Sequence, residues 1–235
     1  MIKKKIGLIL AAGRQTRFNS ETPKALVKYG ESTALEHNIG VLKPNVDEIY
    51  VVCSTYNYDL FKQYGSDNII VKSIDGGLGC GHGVMKALEL IKGYADIVLI
   101  WGDSIQNEQV VSKLVNVYRG YFLVPVVEEN KPYVQFKESN KFITKVSFSK
   151  FNDKIDDIGY HDLSIFAFDK ELVLKKLKEM HKKYWKDEEY NTRSKELVFL
   201  DLFNENKRFG KILKFKDIED RSFNTVEEYN KLIEG

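Results

Sequence analysis

A chain of 235 residues is long enough for one substantial α/β domain and too short for two domains of typical size. Its 43% hydrophobic and 30% charged residues allow an ordinary buried core and exclude a disordered chain. With 36 basic against 34 acidic residues the formal charge is +2, so no global field points to nucleic acid or an anionic membrane as partner.

The chain opens on lysines followed by Ile6-Gly7-Leu8-Ile9-Leu10-Ala11-Ala12. This apolar run is brief and leads directly into Gly13-Arg14, so it reads as a buried strand over 6–11 rather than a signal segment. Further apolar runs predict strands near 49–53, 69–73 and 97–101, and none approaches the roughly 20 residues that cross a bilayer. Between them, Thr33–Lys43 and Gly83–Lys92 have helical periodicity, with Leu35, Ile39 and Leu42, then Val84, Leu88 and Ile91, on one face. Alternation of this kind builds βαβ units and a parallel sheet. After residue 120 the pattern changes. Tyr121–Val127, Tyr133–Phe136, Phe142–Phe148 and Leu163–Phe168 are strand-like without long helices between them, which predicts antiparallel additions. Helices are expected at Lys170–Lys183, Lys195–Asn206 and Thr225–Ile233, with Asp187–Arg193 as a polar connector. Together these predict a single-domain, Rossmann-like, three-layer α/β/α fold around a mixed, mainly parallel central sheet. Two cysteines, Cys53 and Cys80, are too few for a disulfide framework and lack metal-ligand spacing, which fits a cytoplasmic chain. The expected partners are small molecules, with no nucleic acid and no membrane; a homodimer is left open.

The most informative stretch is Leu8-Ile9-Leu10-Ala11-Ala12-Gly13-Arg14-Gln15-Thr16-Arg17-Phe18, followed by Pro23-Lys24. A buried strand running into a glycine turn frees backbone N–H groups to face an anion, and Arg17 and Lys24 add two cations. Convergent donors and positive charge suit a polyphosphate better than a sugar hydroxyl. A strand-to-loop glycine alone is common; the glycine with Arg17 and Pro23-Lys24 is not. The stretch is neither a dinucleotide fingerprint nor a Walker loop, since Gly13 lacks the partner glycines and no G-K-[ST] follows.

L-A-A-G-x-G-x-R followed by P-K resembles the signature of the nucleotidyltransferases that activate sugar phosphates and related alcohols, whose fold is GT-A-like. The resemblance implies that Leu10, Ala11, Ala12, Gly13, Arg14 and Gln15 border the nucleotide, that Arg17 grips the triphosphate and that Lys24 stabilises charge at the reacting phosphate. Gln15 stands where the family has its second glycine, a departure that bears on the loop conformation. A second segment, Leu78-Gly79-Cys80-Gly81-His82-Gly83, is similar to the L-G-T-G-H-A of the uridylyltransferases acting on N-acetylglucosamine 1-phosphate. By that likeness Gly79, Cys80 and Gly81 line the nucleoside pocket, Cys80 as a small wall residue, while His82 is a structural residue at a helix start. The glutamine that reads uracil in those enzymes has no equivalent in Ser73-Ile74-Asp75, which leaves the base open, with a pyrimidine (CTP or UTP) expected over others.

The apolar strand 97–101 ends in Gly102-Asp103, setting a carboxylate at the sheet edge where open α/β folds bind ligands. One such Asp, with phosphate oxygens and waters, suffices to seed a Mg²⁺ site. Ser222-Phe223-Asn224-Thr225-Val226-Glu227-Glu228-Tyr229 resembles the family's D-x-D-T-P-E-[ED]-Y, which makes Asn224 the second metal ligand; the competing role for Asn224 is to cap the last helix. On the acceptor side, Gly159–Phe168 resembles the G-[IV]-Y-x-F strand and Glu196–Asp201 the E-x-x-x-x-D segment, which marks Tyr160 and Glu196; Lys150 keeps the lysine of an E-K pair. Residues 1–120 are thus expected to form a nucleotide-binding half and 121–235 an acceptor-binding half. The implied reaction joins a nucleoside monophosphate from a nucleoside triphosphate to a phosphorylated small-molecule acceptor, with Mg²⁺ as cofactor and pyrophosphate as product. Two other functions share these features: a metal-dependent glycosyltransferase using a nucleotide sugar, disfavoured by Arg17 and Pro23-Lys24, and a non-catalytic nucleotide-sensing module, motivated by Gln15 and Asn224.

Overall fold

Ile6, Leu8 and Ile9 are consecutive or near-consecutive in one strand and all are buried, a pattern that requires a sheet covered on both faces. The computed structural model describes residues 3–13, 18 and 20–234. Among them ten strands form one mixed sheet. In chain order they are β1 (Lys4–Ala11), β2 (Glu48–Ser54), β3 (Ile69–Ile74), β4 (Ala95–Trp101), β5 (Phe122–Asn130), β6 (Val134–Ser139), β7 (Phe142–Phe148), β8 (Ile158–Asp162), β9 (Ile165–Asp169) and β10 (Gly210–Lys214). Their spatial order is β8-β6-β7-β10-β5-β9-β4-β1-β2-β3. Strands β4, β1, β2 and β3 run parallel to one another. Strand β9 adds antiparallel to β4, as the change of pattern after residue 120 predicts. Beyond it the sheet curls: β8 pairs with both β6 and β5, so that β5, β10, β7, β6 and β8 close on themselves.

Helices cover both faces. α1 (Ala34–Leu42) and α4 (Glu108–Val117) pack on one, α3 (Cys80–Leu90) and α5 (Lys170–Tyr184) on the other, with the short α2 (Tyr58–Phe61) and α6 (Asp201–Glu205) at the edges. α7 (Val226–Glu234) packs through Tyr229 and Leu232 on a third, small cluster of Phe18, Val27, Ala34, Ile105 and Phe223. Caps mark the starts: Thr33 and Glu36 form a reciprocal capping box on α1, Asn107 accepts from the Gln109 and Val110 N–H groups of α4, and Asp169 accepts from Leu172 N–H of α5.

Three differences from the expected elements have tertiary causes. Helix α3 starts at Cys80, within the glycine cluster, because the Gly81 N–H that a helix start leaves unpaired donates to the Leu197 carbonyl at 2.8 Å. The helix expected over Lys195–Asn206 shrinks to α6: residues 197–200 are buried on all sides beneath the α3 N-terminus, and Leu197 N–H bonds to the Leu78 carbonyl instead of to its own turn. The connector Asp187–Arg193 contains one arm of a two-residue ribbon, Glu189–Tyr190 against Trp185–Lys186, with Tyr190 fully buried. Helix α4 and strand β10 are not among the expected elements.

Candidate active site

The turns that follow the parallel strands converge at one edge of the sheet. Gly102, after β4, donates its N–H to the Leu10 carbonyl at 2.9 Å, and a Cβ there would lie 2.9 Å from Ala11 Cβ. A Cβ on Gly76, after β3, would lie 2.2 Å from the Ala12 carbonyl oxygen, so the turn after β1 and the glycine segment touch backbone to backbone. After β2, Tyr56 donates its hydroxyl to the Gly13 carbonyl at 3.3 Å and Thr55 donates to Asp75 Oδ1 at 2.8 Å. Leu10, Ala11, Ala12 and Gly13 therefore line a rim made by four successive strand ends, the usual ligand edge of such sheets. Arg14, Gln15 and Arg17 lie outside the described residues.

Lys24 follows Pro23 in a short turn of 3₁₀ helix and is 6% exposed. Its Nζ reaches Asp103 Oδ2 at 3.2 Å and the Phe223 carbonyl at 3.3 Å. Asp103 is partly exposed and stands just past the end of β4. Its position is not left to loop chemistry. Asn38, fully buried on the apolar face of α1, donates to the Ser104 carbonyl at 2.7 Å and accepts the Gln106 N–H at 3.0 Å; the Gln106 amide in turn donates to Ser104 Oγ and the Leu163 carbonyl. A fully partnered buried network of this kind rigidifies what it holds.

The second expected metal ligand arrives by a separate route. Residues 220–224 form a strap along the Asp103 turn: Ile105 N–H donates to the Arg221 carbonyl at 2.9 Å, Ser104 bridges Ser222, and Phe223 N–H donates to the Asp103 carbonyl at 3.0 Å. Asn224 follows at the rim. The cap of α7 belongs to Thr225, whose Oγ1 accepts Glu228 N–H at 3.2 Å while the Glu228 carboxylate accepts from Asn224 and Thr225 N–H. The Asn224 side-chain amide is thus not spent on capping. An Asp carboxylate and an Asn amide on adjoining segments are hard oxygen donors, and no group of three or more His, Cys, Asp or Glu placed to hold a metal ion is present among the described residues. That donor set suits Mg²⁺, which fills most of its shell with phosphate and water oxygens, better than a softer ion.

The glycine cluster meets the protein's own backbone as well as the rim. Gly79 has φ +96°, and a Cβ on Gly79 or Gly81 would lie 2.6 or 2.8 Å from the Leu197 carbonyl oxygen. Cys80 is exposed and its Sγ accepts Phe199 N–H at 3.3 Å. Lys150 and Glu196 lie close enough for their charges to act on the Cys80 thiol in opposite senses. His82 packs within the protein, its ring 6.1 Å from those of His181 and Tyr190, and burial first, then the Lys86 and His181 charges, lower its pKa. Tyr160, on β8, is partly buried against the core cluster under α3 and α5, with Lys214 Nζ 4.3 Å from its ring centroid. Lys24, Asp103, the strand-end backbone and the strap come together; among the described residues no hydrogen bond or ion pair joins Lys150, Tyr160 or Glu196 to them. Tyr56, Asp75 and the Asn38–Gln106 network are not among the expected site residues. The available signal for the last was a polar residue on the apolar face shared by Leu35, Ile39 and Leu42.

A covered mixed sheet with a cation and a carboxylate at its ligand edge fits the nucleotidyltransferase class. The chain belongs to the MobA-like NTP transferase domain family, which matches residues 7–178. Among curated relatives, the bifunctional protein GlmU of Clostridium perfringens is 26% identical over 219 residues, 89% of this chain and 47% of that protein. The GlmU of Synechococcus elongatus is 34% identical over 99 residues, 40% of this chain and 22% of that one. The chain therefore spans less than half the length of these relatives. Similar solved structures include the inositol-1-phosphate CTP transferase from T. maritima, with TM-score 0.75 at 14% identity over 98% of this chain and 95% of that one. The CTP:phosphocholine cytidylyltransferase from Streptococcus pneumoniae has TM-score 0.70 at 15% identity over 98% of each chain. At these identities the structural likeness speaks for the fold. Among the described residues no helix is long and apolar enough to cross a membrane.

Proposed function

We propose that the chain transfers a nucleoside monophosphate from a pyrimidine nucleoside triphosphate to a phosphorylated sugar, alditol or similar small metabolite, releasing pyrophosphate. The observation that carries this reading is the meeting of Lys24 and Asp103 beside the turn after β1. Asp103 and Asn224 would hold Mg²⁺, which when bound neutralises charge on the phosphates. Lys24, kept nearly free of water, places a cation where negative charge develops, and Arg17 holds the departing pyrophosphate. The acceptor's phosphate is already ionised at neutral pH, so its attack needs alignment rather than a general base. Lys150, Tyr160 and Glu196 are assigned to the acceptor side. We assign the exposed Asp75, which follows β3 at the same rim, to the base: a carboxylate there would accept from an exocyclic amine and repel a carbonyl, which favours cytosine over uracil, and CTP is the nucleotide named for two of the similar structures.

The test is thermal unfolding with Mg²⁺ and each of CTP, UTP, dTTP, GTP and ATP. A nucleotide at 100 times its dissociation constant adds about 2.7 kcal/mol, roughly 5–10 °C for a domain of this size. A Mg²⁺-dependent shift with CTP, followed by pyrophosphate release once an acceptor is found, is the expected result. Release of a free nucleoside diphosphate from a nucleotide sugar would replace this reading with the glycosyltransferase one, and binding without turnover across phosphorylated acceptors would favour the sensing module.

A further inference from the structure

Strand β8 carries a histidine that the proposed reaction does not use. His161 Nδ1 stands 3.3 Å from the Val134 carbonyl oxygen of β6, and its Nε2 stands 3.2 Å from Asp220 Oδ2 on the strap. Both neighbours can only accept. A neutral imidazole has a single N–H, so only the doubly protonated ring satisfies the two contacts at once. Acidic groups face it from the other packed elements: Glu129 of β5 has Oε2 3.8 Å from Nδ1, and Asp162 follows it in its own strand. Burial by itself would lower the pKa of the ring, but the hydrogen bond to Asp220 and the charges of Asp162, Asp220 and Glu129 overcome it and push the value up to about 9.

Asp220 in turn starts the strap. Its Oδ2 also accepts the Ser222 hydroxyl at 2.5 Å. Upstream, the last backbone bond of the sheet is Phe215 N–H to the Val126 carbonyl; downstream, the Arg221 carbonyl accepts from Ile105. Among the described residues, the hydrogen bonds made by residues 216–220 all run through the Asp220 carboxylate. The ring of strands β5–β8 is thereby tied to the segment that delivers the Phe223 carbonyl to Lys24 and sets Asn224 at the rim.

We propose that His161 is a positioning residue whose imidazolium latches residues 220–224 onto β6 and β8, and so sets where Asn224 and the Phe223 carbonyl stand beside Asp103 and Lys24. The proposal rests on the reading of Asp103 and Asn224 as the Mg²⁺ site. It is tested with two separate variants, His161→Gln and Asp220→Asn, by amide hydrogen exchange without nucleotide and by the Mg²⁺ concentration that gives half-maximal nucleotidyl transfer. In both variants the Ile105 and Phe223 amides should lose at least about tenfold protection while those of β1 and β4 hold theirs. The Mg²⁺ requirement should rise about fivefold, with kcat at saturating Mg²⁺ within about twofold of the parent. Unchanged protection at both amides in both variants overturns the latch, and lost protection with an unchanged Mg²⁺ requirement overturns its positioning role. A parent chain that transfers no nucleotide would refute the functional reading on its own, and the exchange measurement, which needs no substrate, would still decide the latch.

Discussion

The parallel part of the sheet and the closed ring of β5–β8 and β10 place functional residues by different means. In β1–β4 each strand ends on the same edge, so Ala11, Ser54, Ile74 and Trp101 hand their following turns to one rim. Parallel pairing alone brings Gly13, Tyr56, Gly76 and Asp103 together, because every crossover returns the chain to the same starting side. In the C-terminal part, proximity comes from pairings between distant segments: residues 103–105 with 221–223, and residues 78–81 with 197–199. The first arrangement tolerates change in the loops. The second depends on individual contacts, and a single side chain can undo it.

The largest effect is expected where the two arrangements meet. Lys24→Ala and Asp103→Ala should each lower turnover by about 10²–10³-fold; the unfolding midpoint should change little for the partly exposed Asp103 and fall for Lys24, whose buried side chain also bonds the Phe223 carbonyl. Steady-state kinetics alongside circular dichroism checks this, and near-normal turnover in either variant removes that residue from the site. Next comes Gly81→Ala, whose Cβ would lie 2.8 Å from the Leu197 carbonyl oxygen and 3.0 Å from Phe199 N. Overpacking against backbone should cost about 3 kcal/mol and weaken nucleotide binding with it, measurable by urea unfolding and calorimetry. Asn38→Ala should cost about 2 kcal/mol by stranding the Ser104 carbonyl and the Gln106 N–H, and should lower kcat because the Asp103 turn loses its brace. An Asn38→Ala chain with full stability would show that the parallel half needs no side-chain support to place its carboxylate.

How much was legible in the sequence follows the same division. Strands β1 to β4 and the residues at their ends could be read directly, because a strand buried on both faces is a short continuous apolar run and its end is where a charged or glycine residue appears. The strap was legible only through resemblance, and its partner His161 not at all: nothing local to His161 or Asp220 signals that 59 residues of chain return one to the other. The expected helix over Lys195–Asn206 failed for the same reason. Leu197, Val198, Phe199, Leu200, Leu202 and Phe203 are all buried, and a run apolar on every side carries no period to distinguish a helix from a segment threaded under another helix. Helix α4 was not among the expected elements, although its Val110, Val111, Leu114 and Val115 stripe has helical spacing.

The smallest predicted effect is a pH dependence that isolates the long-range contact. His161 has its pKa raised from 6.5 to about 9 in the folded chain, so its pairing with Asp220 stabilises fully below pH about 6.5 and is lost as the pH rises through about 9. His82 and His181 have lowered values, each from burial first, so they contribute in the opposite sense and only as the pH falls below about 6.5. Of the three histidines with shifted values, His161 alone titrates between those limits and sets their contribution to the slope. Stability should therefore fall between pH 7 and 9.5 by about 1–2 kcal/mol, roughly 2–8 °C in the unfolding midpoint, once solvent screening is allowed for. Deprotonation of the buried Cys53 thiol, pushed up to about 11, adds a slope of the same sign above pH about 9, but it acts equally in parent and variant. The readout is accordingly the difference between parent and His161→Gln across that range, by scanning calorimetry at matched ionic strength. Parallel curves would mean that the strap is held by the backbone bonds of residues 221 and 223 alone, and the C-terminal half would then resemble the parallel half in placing its site residue without a dedicated side chain.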